Sequence, residues 1–203
     1  MAYSETSICN LSIRDVGANR IVNLEETNKQ PEAMACRDLY AHNRDALLRS
    51  YDWPFARARV QLSEDTVTPS FEFDHQFVMP ANFLRLRNYY DTDAGYEDGR
   101  RIWVIEGKRI LTNETAVYLR YVKQVTDPTE FDPLFVELLR TKLALDLLTT
   151  LAGIENMGGK EDRLTRKMNE AEKRARLVAA HESNPFDEPS YIRSQFSSDL
   201  LVI

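Results

Sequence analysis

Hydrophobic positions along the chain change period twice, from helical to alternating near residue 55 and back to helical near residue 131. In the first stretch Ile8, Leu11 and Val16 stand near helical spacing, so a helix is expected from about Ser4 to Val16, with Gly17 suited to ending it. Ile21, Val22 and Leu24 read as a short extended return. A second helix is expected from Pro31, where a missing N–H does no harm in a first turn, to about Ser50, with Cys36, Tyr40, Asn43 and Leu47 on one face.

From Phe55 to Val125 the period is two. Ala56, Ala58, Val60 and Leu62 alternate with Arg57, Arg59 and Gln61, and Phe71, Phe73, His75, Phe77 and Met79 alternate with Glu72, Asp74, Gln76 and Val78. Pro80 closes that strand, and Phe83 to Tyr90 reads as the next. Ile102 to Glu106 and Arg109 to Thr112 form a hairpin about Gly107-Lys108, and Val117, Leu119 and Tyr121 give a further apolar face. Five or six short strands in an antiparallel β unit are expected.

The segment Phe131 to Ala152 is apolar almost all round, which requires burial on most sides. Such a helix exceeds what a small domain is expected to cover by itself, so burial between the other helices and a neighbouring subunit is expected, with Leu138 and Leu145 at the subunit interface. Past Gly158-Gly159, Leu164, Met168, Ala171, Ala175 and Val178 form an apolar stripe on a charged helix. The fold expected is α+β: a four-helix bundle from residues 1–54 and 126–184, a small antiparallel β domain inserted at 55–125, and an extended tail at 185–203.

With 203 residues, 43% of them hydrophobic, the chain can bury one sizeable core or a modest core with a satellite. A net charge of −6 argues against a protein that grips nucleic acid by counterion release, which needs a concentrated basic surface, although an acidic chain can still surround DNA and a lumen that repels phosphate lets it slide. Cys9 and Cys36 are too few and too far apart for a disulfide framework or a zinc pattern and read as small apolar residues on helix faces. No signal-peptide pattern or membrane-length apolar run is seen, so synthesis in the cytoplasm and no membrane partner are expected.

Candidate chemistry is sparse. His42, His75 and His181 lack ligand-spaced partners, and His181 fits a helix C-terminus, where a cation is favoured. The run Asp91 to Gly99 resembles a calcium loop but puts Gly95 at the third ligand position and Tyr96 where glycine is required, so it reads as a solvated connection. No phosphate-cradling glycine loop or nucleophile elbow occurs, and the abundant carboxylates carry no local motif, although two across a cleft could hydrolyse a glycan. No cofactor, metal or catalytic residue is expected. The basic residues of the last helix, interspersed with Glu161, Asp162, Glu170 and Glu172, read as a solvated or intersubunit face rather than a DNA contact. Trp53 and Phe55 read as core anchors at a structural corner rather than a base-stacking platform.

Three stretches carry a family resemblance: the helix from Cys36 through Leu47 into Tyr51-Asp52-Trp53-Pro54-Phe55-Ala56 and the following strand; Val78-Met79-Pro80-Ala81-Asn82-Phe83-Leu84; and Leu119-Arg120-Tyr121-Val122 leading through Asp127-Pro128 to Phe131-Asp132-Pro133-Leu134-Phe135. Over roughly residues 5 to 155 the chain resembles the podovirus head-to-tail adaptors of the tail tubular protein A type. Met79 and Asn82 depart from the Leu and Asp of that turn. The resemblance implies a non-enzymatic virion protein assembled in the host cytoplasm. Its subunits form a ring, usually dodecameric, between the portal protein and the tail nozzle protein, with double-stranded DNA passing through the lumen without specific binding. It also implies a C-terminal segment that docks on the portal, here through Phe186, Tyr191, Ile192, Phe196, Leu200, Leu201, Val202 and Ile203. The alternative is a tail-associated cell-wall glycan hydrolase; a nucleic-acid-binding module is disfavoured by charge.

Overall fold

A computed structural model describes residues 3–91, 103–151 and 159–183. Ser4 and Ser7 open helix α1 (Glu5–Val16) with reciprocal bonds: the Ser4 Oγ accepts from the Ser7 N–H at 3.2 Å, and the Ser7 Oγ accepts from the Ser4 N–H at 2.9 Å. Gly17 closes it in the left-handed region at φ 87°, its N–H donating to Ile13 O at 2.9 Å. The return after it makes no β-ladder. Instead the side-chain amide of Asn10 takes the place of a strand: Nδ2 donates to Ile21 O at 3.0 Å and Oδ1 accepts from Ile21 N–H at 2.9 Å. That pins Ile21 in the core and leaves Val22 84% exposed.

Helix α2 (Pro31–Ser50) begins at its proline and ends at the aromatic corner, which a short 3₁₀ turn (Pro54–Ala56) carries into β1 (Arg57–Gln61). The strands β2 (His75–Val78), β3 (Phe83–Tyr90), β4 (Trp103–Glu106), β5 (Arg109–Thr112) and β6 (Tyr118–Lys123) follow. They form two antiparallel sheets of three strands, ordered β1-β6-β3 and β2-β5-β4. The inward residues Val60, Leu86, Tyr89, Leu119 and Tyr121 of the first sheet share an apolar cluster with Phe77 and Ile110 of the second. The strand expected from Phe71 starts only at His75. Glu72 sits at φ 72°, a left-handed conformation that breaks an extended run, and Phe71 is left 79% exposed. Gly107, at φ 58°, makes the β4–β5 turn.

A second 3₁₀ turn (Pro128–Glu130) leads to α3 (Pro133–Leu151), and α4 (Lys160–His181) completes the described chain. Helix α3 packs against α1, α2 and α4, and the four helices share one apolar cluster. Leu138 is 1% exposed within this single chain, so the other helices cover it without the share expected of a neighbouring subunit; Leu145 stays half-buried. Close approach of α4 is possible because its buried stripe is mostly alanine: Leu164 is joined by Ala171, Ala175 and Ala179, with Met168 and Val178 half-buried. Cys9 and Cys36 lie fully buried in this cluster. Their mutual hydrogen bond, reinforced by burial, pushes the Cys9 thiol well above its ordinary range, so it packs as a neutral group.

Candidate functional site

The outward positions of the β1-β6-β3 sheet collect arginines. Alternation places Arg57 and Arg59 on one face of β1, and the register sets Arg59 directly opposite Arg120 of β6, beyond which Asn88 of β3 continues the row. Arg87 of β3 joins them, and the four arginines line a groove of roughly 400 Å³ together with Ala58 and Tyr121. At its helical end Arg85 Nη1 donates to Ser50 O at 3.4 Å, and Arg49 Nη1 donates to Leu84 O.

One carboxylate organises two of these cations. Asp52, at the corner after α2, receives Arg57 Nη2 at 3.0 Å and Arg87 Nε at 2.7 Å on the same oxygen, Oδ2. Arg57 Nη2 also donates to Ser183 Oγ at 2.5 Å. The Asp52 side chain is 20% exposed and those of Arg57 and Arg87 are 25% and 21% exposed, so the cluster is held more firmly than a solvated pair. Arg120 lies over the Tyr90 ring, its Cζ 5.2 Å from the centroid. Arg59 is exposed. Removing the shared carboxylate takes a charge-assisted partner from two partly buried guanidiniums at once, so Asp52→Ala is expected to cost about 1–3 kcal/mol, read as a fall in the thermal midpoint. An unchanged midpoint would show that the cluster needs no internal counter-charge.

The groove offers guanidinium cations and hydrogen-bond donors, with no histidine among its described lining residues, a donor set of the kind that suits anions. Its signal in the sequence was the basic half of the β1 alternation, with Arg85-Leu86-Arg87 and Arg120 in matching phase. Only the sheet order brings the three strands together.

Trp53 is 2% exposed, donates Nε1–H to Leu47 O at 2.8 Å, and meets Phe135 edge-on with ring centroids 5.2 Å apart. Phe55, half-buried, lies 5.1 Å from Phe135 and 6.0 Å from Phe131. Phe186, Tyr191, Ile192, Phe196, Leu200, Leu201, Val202 and Ile203 lie outside the described residues, as do residues 92–99 of the calcium-like run. His75 Nδ1 pairs with Glu64 Oε1 at 2.6 Å, His42 is exposed on α2, and His181 is the last residue of α4. Among the described residues no group of three or more His, Cys, Asp or Glu is placed to hold a metal, and no helix is long and apolar enough to cross a membrane.

Several cations of α4 serve the end of α1. Lys160 Nζ donates to Val16 O at 3.3 Å, Arg163 Nη2 to Asp15 O at 3.5 Å, and Lys167 Nζ stands 3.9 Å from Asp15 Oδ1. Arg140 of α3 also pairs with Asp15 and with Glu137, and its hydrogen bond holds the Glu137 carboxyl below the usual carboxylate range. Positive charge at a helix C-terminus complements the exposed carbonyls there. No protein-family model matches the chain, and no curated protein is similar to it.

Proposed function

We propose that the protein is a structural, non-enzymatic virion component: a head-to-tail adaptor whose subunits form a ring, dodecameric by resemblance, between portal and tail nozzle. In this reading the four helices act as a bundle, residues 55–125 as an inserted β domain, and residues 185–203 as an extended tail docking on the portal. The lumen of the ring extends the channel for double-stranded DNA, and the particle is assembled in the host cytoplasm. One observation carries the reading. The residues on which the resemblance rests come from segments about 80 positions apart, yet Trp53 and Phe55 meet Phe131 and Phe135 in one aromatic cluster. A motif pair whose members pack on each other is a stronger basis for a shared architecture than two independent matches.

Ring closure needs two different complementary surfaces on each subunit. With Leu138 covered inside the chain, Leu145 is the remaining α3 residue assigned to the subunit contact. Purified full-length protein is expected to form ring particles, alone or on adding portal, by electron microscopy and mass measurement. Deleting residues 186–203 is expected to leave the melting transition nearly unchanged and abolish attachment to portal-bearing capsids. A monomer that never joins portal overturns the adaptor reading, and one that degrades peptidoglycan through a carboxylate pair replaces it with a glycan hydrolase.

A further inference from the structure

We propose that the groove along α1 and the turn after it seats residues 186–203 of the same chain, so that the free subunit holds its own C-terminal segment against the helical bundle. The inference goes beyond the adaptor reading and does not depend on ring formation, because groove and segment belong to one subunit. The groove holds about 640 Å³, within the range of about 300–1,000 Å³ usual for a site that takes a ligand. Its wall is largely apolar, from Tyr3, Leu11, Ile13 and Ala18, and two cations, Arg14 and Arg20, stand along it. Both are exposed, and among the described residues neither has a side-chain ion-pair or hydrogen-bond partner and no carboxylate lines the groove. Asn10, also in the wall, is locked by its paired bonds to Ile21, so little order is lost there when a segment enters.

Charge and length select the occupant. Residues 186–203 carry Asp187, Glu188 and Asp199 against the single cation Arg193, and Phe196 and Leu200 to Ile203 supply apolar side chains near Asp199. A segment both acidic and apolar complements an apolar wall flanked by two arginines. The path is short. Lys160 Nζ meets Val16 O at 3.3 Å, so α4 starts beside the end of α1. Arg44 Nη1 stands 4.0 Å from Glu5 Oε1 and Tyr51 OH donates to Arg176 O at 3.2 Å, so the start of α1 points to the end of the bundle where α4 finishes. With 22 residues α4 is about 33 Å long, and α1, with 12, about 18 Å. Ser183 therefore stands about 15 Å beyond the start of α1 along the bundle axis, whereas the 20 residues after it span up to about 66 Å when extended. The approach uses the first of these, which leaves Phe196 to Ile203 to lie along the groove with Asp199 in reach of the arginines. A segment joined to its own groove meets it at an effective concentration of about millimolar, so a weak contact is populated. Such a seat yields when a partner competes for the same anchors, and it adds little to the melting transition.

The test uses the full chain with the photo-crosslinker p-benzoylphenylalanine in place of Tyr3 or Leu11, both half-buried in the groove wall. Irradiation is expected to join either position to a peptide from residues 186–203, identified by mass spectrometry, in a species that keeps the mass of one subunit. Leu200→Asp combined with Leu201→Asp is expected to lower the yield at least about tenfold, since both side chains lose their burial. Arg14→Gln combined with Arg20→Gln, at exposed positions with little bearing on folding, is expected to lower it about threefold, the scale of exposed ion pairs. Arg14→Glu also lowers it, and Asp199→Arg in the same chain is expected to restore it, which a general loss of α1 would not allow. Absence of cross-links to residues 186–203 overturns the proposal, as do variants that cross-link like wild type. Cross-links found only at the mass of two subunits also overturn it and assign the groove to contact between copies. Single-subunit cross-links that persist unchanged when portal is added support the seat while removing the docking of the tail on the portal.

Discussion

Trp53→Ala is expected to destabilise the protein by about 3–5 kcal/mol, the range for a large aromatic removed from a core. For a chain of this size that corresponds to a fall in the thermal midpoint of about 6–20 °C. Two losses combine in that figure. The ring fills the junction between α2 and β1 while touching Tyr51, Phe55 and Phe135, so its removal leaves a cavity bordered by two helices. It also frees Leu47 O from the indole N–H that closes the last turn of α2. Trp53→Phe retains most of the packing and loses the hydrogen bond, so a smaller loss of about 1–2 kcal/mol is expected. A Trp53→Ala protein that melts like wild type but fails to bind DNA or a partner would make the residue a surface contact and remove the corner as the anchor of the fold.

Leu138→Asp should be the more damaging change to α3, and Leu145→Asp the more informative one. Leu138 is enclosed by its own chain, where an unpaired carboxylate costs several kcal/mol even if it takes up a proton. That is a large part of the total stability of about 5–15 kcal/mol expected of a domain. Loss of the cooperative melting transition is expected in the isolated subunit, without reference to assembly. At Leu145, half-buried, an introduced carboxylate can reach water, so the subunit is expected to fold and melt within a few degrees of wild type. If assembly fails in that folded variant, α3 contributes to the subunit contact. If Leu145→Asp protein still forms rings, the contact lies elsewhere, and a soluble, folded Leu138→Asp protein would reject the internal burial of the helix.

Local chemistry was legible along the chain wherever a signal and its effect lie within one turn. Ser4 and Gly17 mark the ends of α1, Pro31 opens α2, Gly107 turns the β4–β5 hairpin, and the alternation through Phe77 and Met79 places both in the core. Each follows from backbone sterics, orphan helix-end groups or side-chain period, and none needs a distant partner. Partner choice was not legible. Six strands with similar alternation can pair in many ways, and it is their shared burial between two sheets that selects β1-β6-β3 and β2-β5-β4. The same holds for Asn10 standing in for a strand beside Ile21, for the cover that α1, α2 and α4 give α3, and for the α4 cations gathered at the end of α1. The arginine face is the plainest case. Arg57, Arg59, Arg87 and Arg120 are ordinary solvent-side residues in sequence, and they become one cationic surface only because sheet pairing sets strands more than 60 residues apart about 5 Å from each other. Short-range preferences decide what each segment forms, whereas the burial energy that decides which segments meet is shared among residues far apart in the chain, so no local window contains it.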